Sequence, residues 1–68
     1  MVDIEKLKEV IDDSGMTKVA IASKSGILRA TLYKKLAGQG EFTASEIERL
    51  AETLKLSVAQ RNAIFFAK

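Results

Sequence analysis

The 68-residue sequence contains no cysteine, no histidine and no proline, and each absence removes a class of explanation. Without cysteine there are no disulfide staples, and without cysteine or histidine the usual zinc ligands are missing, so apolar packing alone must hold a fold together. The same two gaps remove the commonest general base, the best thiol nucleophile and any Ser–His or Cys–His pairing. An enzyme is therefore not expected, and neither a cofactor nor a metal is called for. No apolar run approaches the roughly eighteen residues that span a bilayer. The start, Met1-Val2-Asp3-Ile4-Glu5, has neither the basic opening nor the apolar core of a secretion signal. The expectation is a cytoplasmic protein that makes no membrane contact.

What the chain does have is 47% hydrophobic residues, which a domain this short needs because it buries only about 60% of the surface its unfolded form exposes. Residues 1–68 read as one domain, since no repeat, low-complexity tract or linker interrupts them. The start at Met1 favours a complete chain over the excised front domain of a longer protein. The formal net charge is only +2, but it is unevenly placed. Between Thr17 and Gly40 stand Lys18, Lys24, Arg29, Lys34 and Lys35 with no Asp or Glu, while all nine acidic residues lie in the flanks. A basic segment free of carboxylates is what phosphate recognition requires, although a solvated basic face has the same composition.

Apolar spacing and capping residues predict an all-α fold, a compact bundle of five short helices. Asp3 is positioned to cap a first helix in which Ile4, Leu7, Val10 and Ile11 share one face, and Gly15 permits its left-handed exit. Thr17 begins a second, Ala-rich helix with Val19, Ala20, Ile21 and Ala22, and Gly26 ends it. A third helix is predicted from about Leu28 to Ala37, with Gly38 and Gly40 flanking the loop that follows. Thr43 with Glu46, and Ser57 with Gln60, have the three-residue spacing of a capping box and start two further helices. The fourth carries Ile47, Leu50, Ala51 and Leu54 as its buried stripe. Lys55 stands after it where glycine is expected. Glu46, Glu48 and Glu52 read as the solvated face of that helix, with no apparent cleft or metal partner.

The second and third helices, joined across Gly26, follow the pattern of a helix-turn-helix. Ala22 must be small where the helices cross, Gly26 must accept a positive φ, and Ile21, Ile27, Leu32 and Leu36 lock the pair onto the core. At 100° per residue, Leu28, Leu32 and Leu36 form one apolar stripe on the third helix. Arg29, Ala30, Tyr33 and Lys34 fall within an arc of roughly 140° on the other side. That open arc is a candidate DNA face.

The stretch KVAIASKSGILRATLYKKLAG resembles the lambda-repressor-like (Cro and CI type) helix-turn-helix family, with Ala22, Gly26, Ile27, Thr31, Leu32 and Gly38 at its pattern positions. With TLYKKLAGQGEFTASEIERLAETLKLS and the terminal IFFA, most of residues 3 to 67 looks like small phage and prophage transcriptional regulators. The resemblance implies that Arg29, Ala30, Tyr33 and Lys34 meet base edges or the adjacent backbone of double-stranded operator DNA. It implies that Thr17 and Lys18, at the start of the second helix, lie near phosphate, with Lys35 and Gln39 along the strand. Arginine can donate twice to guanine O6 and N7, alanine can touch a thymine methyl, and lysine can reach guanine or phosphate. Tyr33 is equally suited to backbone contact or to half-buried packing, and Lys24 is expected to face solvent. Two residues depart from the family. Leu28 replaces the usual Ser or Thr, so the third helix lacks a side-chain cap and Leu28 is expected to bury. Ser25 replaces an apolar residue beneath the turn, which leaves either a small adjustment or a hydroxyl bonded back to the helix.

Ile64, Phe65 and Phe66 are consecutive, and three neighbours on a helix spread over roughly 200°, more than one contact face covers. They are the candidate homodimer interface, since a dimer sets two recognition helices about 34 Å apart on a palindromic site. The leading function is a sequence-specific repressor or Cro-like switch protein. The alternative is a helical protein–protein interaction module of the same fold.

Overall fold

The computed structural model describes residues 2–67, and among them it places five helices in the order expected. These are α1 (Ile4–Asp13), α2 (Lys18–Ser25), α3 (Arg29–Leu36), α4 (Ala44–Thr53) and α5 (Val58–Phe65). No helix among the described residues is long and apolar enough to cross a membrane.

Each helix starts where a side chain can take up free backbone amides, with one exception. Asp3 accepts from the Lys6 amide at 3.1 Å, Thr17 from Ala20 at 3.0 Å, Thr43 from Glu46 at 3.1 Å and Ser57 from Gln60 at 3.1 Å. In α4 and α5 the Glu46 and Gln60 side chains answer by accepting from the Thr43 and Ser57 amides, so both capping boxes are complete. The exception is α3, whose cap residue Leu28 makes no side-chain hydrogen bond.

The core gathers one apolar face from every helix: Leu7 and Ile11 of α1, Ile21 and Ala22 of α2, Leu32 and Leu36 of α3, Ile47 and Leu50 of α4, and Ile64 and Phe65 of α5. Ile27 from the turn and Phe42 from the α3–α4 loop complete it, with the rings of Phe42 and Phe65 edge to face at 5.7 Å. Helix α2 packs on both α3 and α4, and α5 packs on α1 and α4. The Asp3 amide donates to the Ile64 carbonyl at 2.7 Å and ties the start of the chain to its last helix.

Three expectations are corrected. Helix α3 begins at Arg29, not Leu28, and Leu28 is 77% exposed instead of buried in the stripe of Leu32 and Leu36. The reason is local. Leu28, at φ −59° and ψ 136°, lies before the first helical turn, so helical periodicity does not place it with Leu32 and Leu36, and the core takes its neighbour Ile27. Ile64 and Phe65 are both 2% exposed and wholly committed to the monomer core, so neither is free to form a dimer contact. The helix ends at Phe65, and Phe66, with φ −120° and ψ 31°, turns out of it. The 200° spread therefore never arises: two core residues remain on α5, and Phe66 alone is left at the surface. Third, Glu46 is not merely solvated, as the site below shows.

Candidate nucleic-acid interface

The turn that aims α3 depends on Gly26, whose φ of 73° lies in the left-handed region. A Cβ there would meet nothing closer than Arg49 Nη1 at 3.8 Å, so the requirement is conformational and not steric. The Ile27 amide donates to the Ala22 carbonyl across the bend at 3.1 Å. Ser25 is buried beneath it and donates its hydroxyl to the same carbonyl at 3.3 Å, which decides between the two arrangements that the sequence left open.

With its apolar side pinned by Leu32 and Leu36, α3 presents Arg29, Ala30, Tyr33 and Lys34 to solvent. Among the described residues, neither Arg29 nor Lys34 has an ion-pair or side-chain hydrogen-bond partner. Tyr33 is 43% exposed, which places it between the packing and the contact roles rather than inside the core. It lines a shallow cavity of about 180 Å³ together with Lys18 of α2 and Lys8 of α1. The fold thus brings the start of α2 beside the outer face of α3, and it adds Lys8 of α1 as a second cation beside Lys18. No sequence signal marks Lys8, because its place depends on how α1 lies against the other two helices.

Thr17 and Lys18 are exposed at the start of α2, whose first turn contains no acidic residue. Gln39 is exposed just after α3, held by its amide on the Lys34 carbonyl at 3.0 Å. Lys24 points away, with Nζ 3.7 Å from Met16 Sδ. Lys35 departs from expectation. Its ammonium sits 2.5 Å from Glu46 Oε1 and 5.9 Å from the centre of the Phe42 ring, and the ion pair is mostly shielded from water. A charge neutralised and tethered in this way is not a free phosphate contact; it braces the end of α3 against the start of α4. Burial pushes the Glu46 carboxyl up, but the hydrogen bond and charge of Lys35, with the Thr43 amide, outweigh that and hold it below its ordinary value.

A short helix with unpaired cations on its open face, gripped by the preceding helix across a glycine turn, is suited to entering a groove lined by phosphate. The family model of the Cro/C1-type HTH DNA-binding domain matches residues 6–60. The chain belongs to that family. Searches of curated proteins and of solved structures give no match. The Cro/C1-type assignment makes this an all-α DNA-binding domain, and the match covers the whole helix-turn-helix together with α4 and most of α1.

Proposed function

We propose that the protein is a sequence-specific transcriptional regulator of the phage repressor or Cro type, acting in the bacterial cytoplasm by laying α3 in the major groove of an operator. The reading rests above all on the open face of α3, where Arg29 and Lys34 stand exposed without a carboxylate partner. Arg29, Ala30, Tyr33 and Lys34 contact bases, and Thr17, Lys18 and Gln39 hold the backbone, with Lys35 as a brace. The amides at the start of α2 add donors aimed at phosphate. Two copies bind a palindromic site as a homodimer, for which Phe66, 57% exposed, is the remaining candidate contact.

The test is binding to duplex DNA selected from a random pool. If Z phosphates are neutralised, log affinity falls with log salt at a slope of about −0.9 Z. Arg29→Ala should cost about 1–3 kcal/mol on the selected site and relax preference at one base pair, while Lys18→Ala should weaken all sequences alike. Equal losses for Arg29→Ala on selected and random DNA would remove its role in base readout, and no binding at low salt would end the proposal.

A further inference from the structure

Among the described residues Leu28 is the most exposed of the large apolar side chains at 77%, more so than Val58 at 65% or Phe66 at 57%. A lone surface leucine needs no explanation in general, but this one stands at the cap of α3. Serine, threonine, asparagine or aspartate at that place would satisfy a free amide, as the cap residue does on each of the other four helices here. Leucine gives up that stabilisation and gains no burial in the monomer in return. Neither loss is offset by a contact among the described residues.

Its surroundings indicate what would offset both. Leu28 directly precedes Arg29 and Ala30, at the leading end of the helix with the unpaired cations, and no carboxylate occurs from Ser14 to Gly40. An apolar tip framed by positive charge suits an apolar spot framed by negative charge. The major groove offers such a spot in the C5-methyl group of thymine, the one apolar group on its base edges, flanked by phosphates.

We propose that Leu28 is a specificity-determining residue that packs on a thymine methyl group at the edge of each half-site, so that the preferred operator carries a thymine where α3 enters the groove. This rests on the reading of the chain as a groove-binding regulator, and it adds a base preference that Arg29 and Lys34 do not supply.

The experiment uses the full chain and the duplex selected from a random pool. Each thymine is replaced in turn by deoxyuridine, which removes only the methyl group, and affinity is measured for wild type and for Leu28→Ala. The wild type should lose about fourfold at one thymine per half-site, the worth of one methyl buried from water. Leu28→Ala should bind the unmodified duplex more weakly by a similar factor and be indifferent to uridine at that same position. Its thermal unfolding should match the wild type, because the side chain is outside the core. The same uridine profile for both proteins would overturn the inference while leaving groove binding intact. A change in sedimenting mass without DNA would overturn it in favour of a contact between copies. Failure of the wild type to enrich any duplex would overturn the groove-binding reading and this inference together.

Discussion

Glu46 makes three connections at once: it receives the Lys35 ammonium, accepts from the Thr43 amide and sits at the third position of α4. Replacement by glutamine separates them, because glutamine also completes a capping box, as Gln60 does on α5. What Glu46→Gln removes is the charge facing Lys35. Since the folded carboxyl titrates below its ordinary value of 4.5, its contribution is present above that pH and is lost as pH falls through the lower folded value. The variant should therefore be less stable in urea at pH 7 by about 1 kcal/mol or less, and the gap should close in acid. Coincident midpoints at pH 7 would mean that the pair contributes nothing. This pair was hidden in the sequence, because Lys35 and Glu46 meet only when the loop through Phe42 closes. By contrast, Thr43 with Glu46 was legible as a cap, since its geometry depends on three residues of spacing alone. Leu28 was misplaced for a related reason: a helical wheel assigns faces only inside a helix, and Leu28 stands one residue before α3 begins.

At the scale of elements, the ends of the helices show how far local chemistry determines this fold. After α3, the Gly38 amide donates to Lys35 and the Gln39 amide to Lys34, the paired bonds of a Schellman ending with glycine in the left-handed place. Helix α4 ends in the same way, with Lys55 donating to Glu52 and Leu56 to Ala51, but here φ is 55° on a lysine. The sequence marked this place as anomalous, and the structure shows that the motif forms anyway and carries the steric cost. Lys55 is exposed, so its side chain has no packing to lose. Lys55→Gly should relieve left-handed strain worth about 1–2 kcal/mol, partly offset by the greater freedom of glycine in the unfolded chain. The expected net gain is about 0.5–1 kcal/mol, a rise of a few degrees in Tm for a domain of this length. A Tm at or below that of the wild type would show that the lysine side chain stabilises the ending in some way its exposure does not reveal.

For the molecule as a whole, burial separates Phe65, which serves the fold, from Phe66, which is left for the proposed contact between copies. The sequence grouped Ile64, Phe65 and Phe66 because periodicity alone cannot tell which side of α5 meets α1 and α4, nor that the helix stops at Phe65. The structure divides them: Phe65 stacks edge to face on Phe42 within the core, while Phe66 lies outside it on the rim of two surface grooves. Removing a buried phenylalanine costs about 3–5 kcal/mol, and a domain this small rarely has more than about that in total. Phe65→Ala should accordingly lose most of its helical circular dichroism at moderate temperature, with the gentler Phe65→Leu still folded but melting earlier. Phe66→Ala should retain the fold and the wild-type melting profile, and on a palindromic duplex it should bind with reduced cooperativity between half-sites. Sedimentation of the DNA complex separates the two roles, because a contact between copies changes how many chains bind one duplex and a core contact does not. If Phe66→Ala loads both half-sites as cooperatively as the wild type, Phe66 is not a contact between copies, and the proposed pairing would need another surface. The exposed groove between α1 and α5, lined by Val10, Ala59 and Ala63, is then the next face to vary.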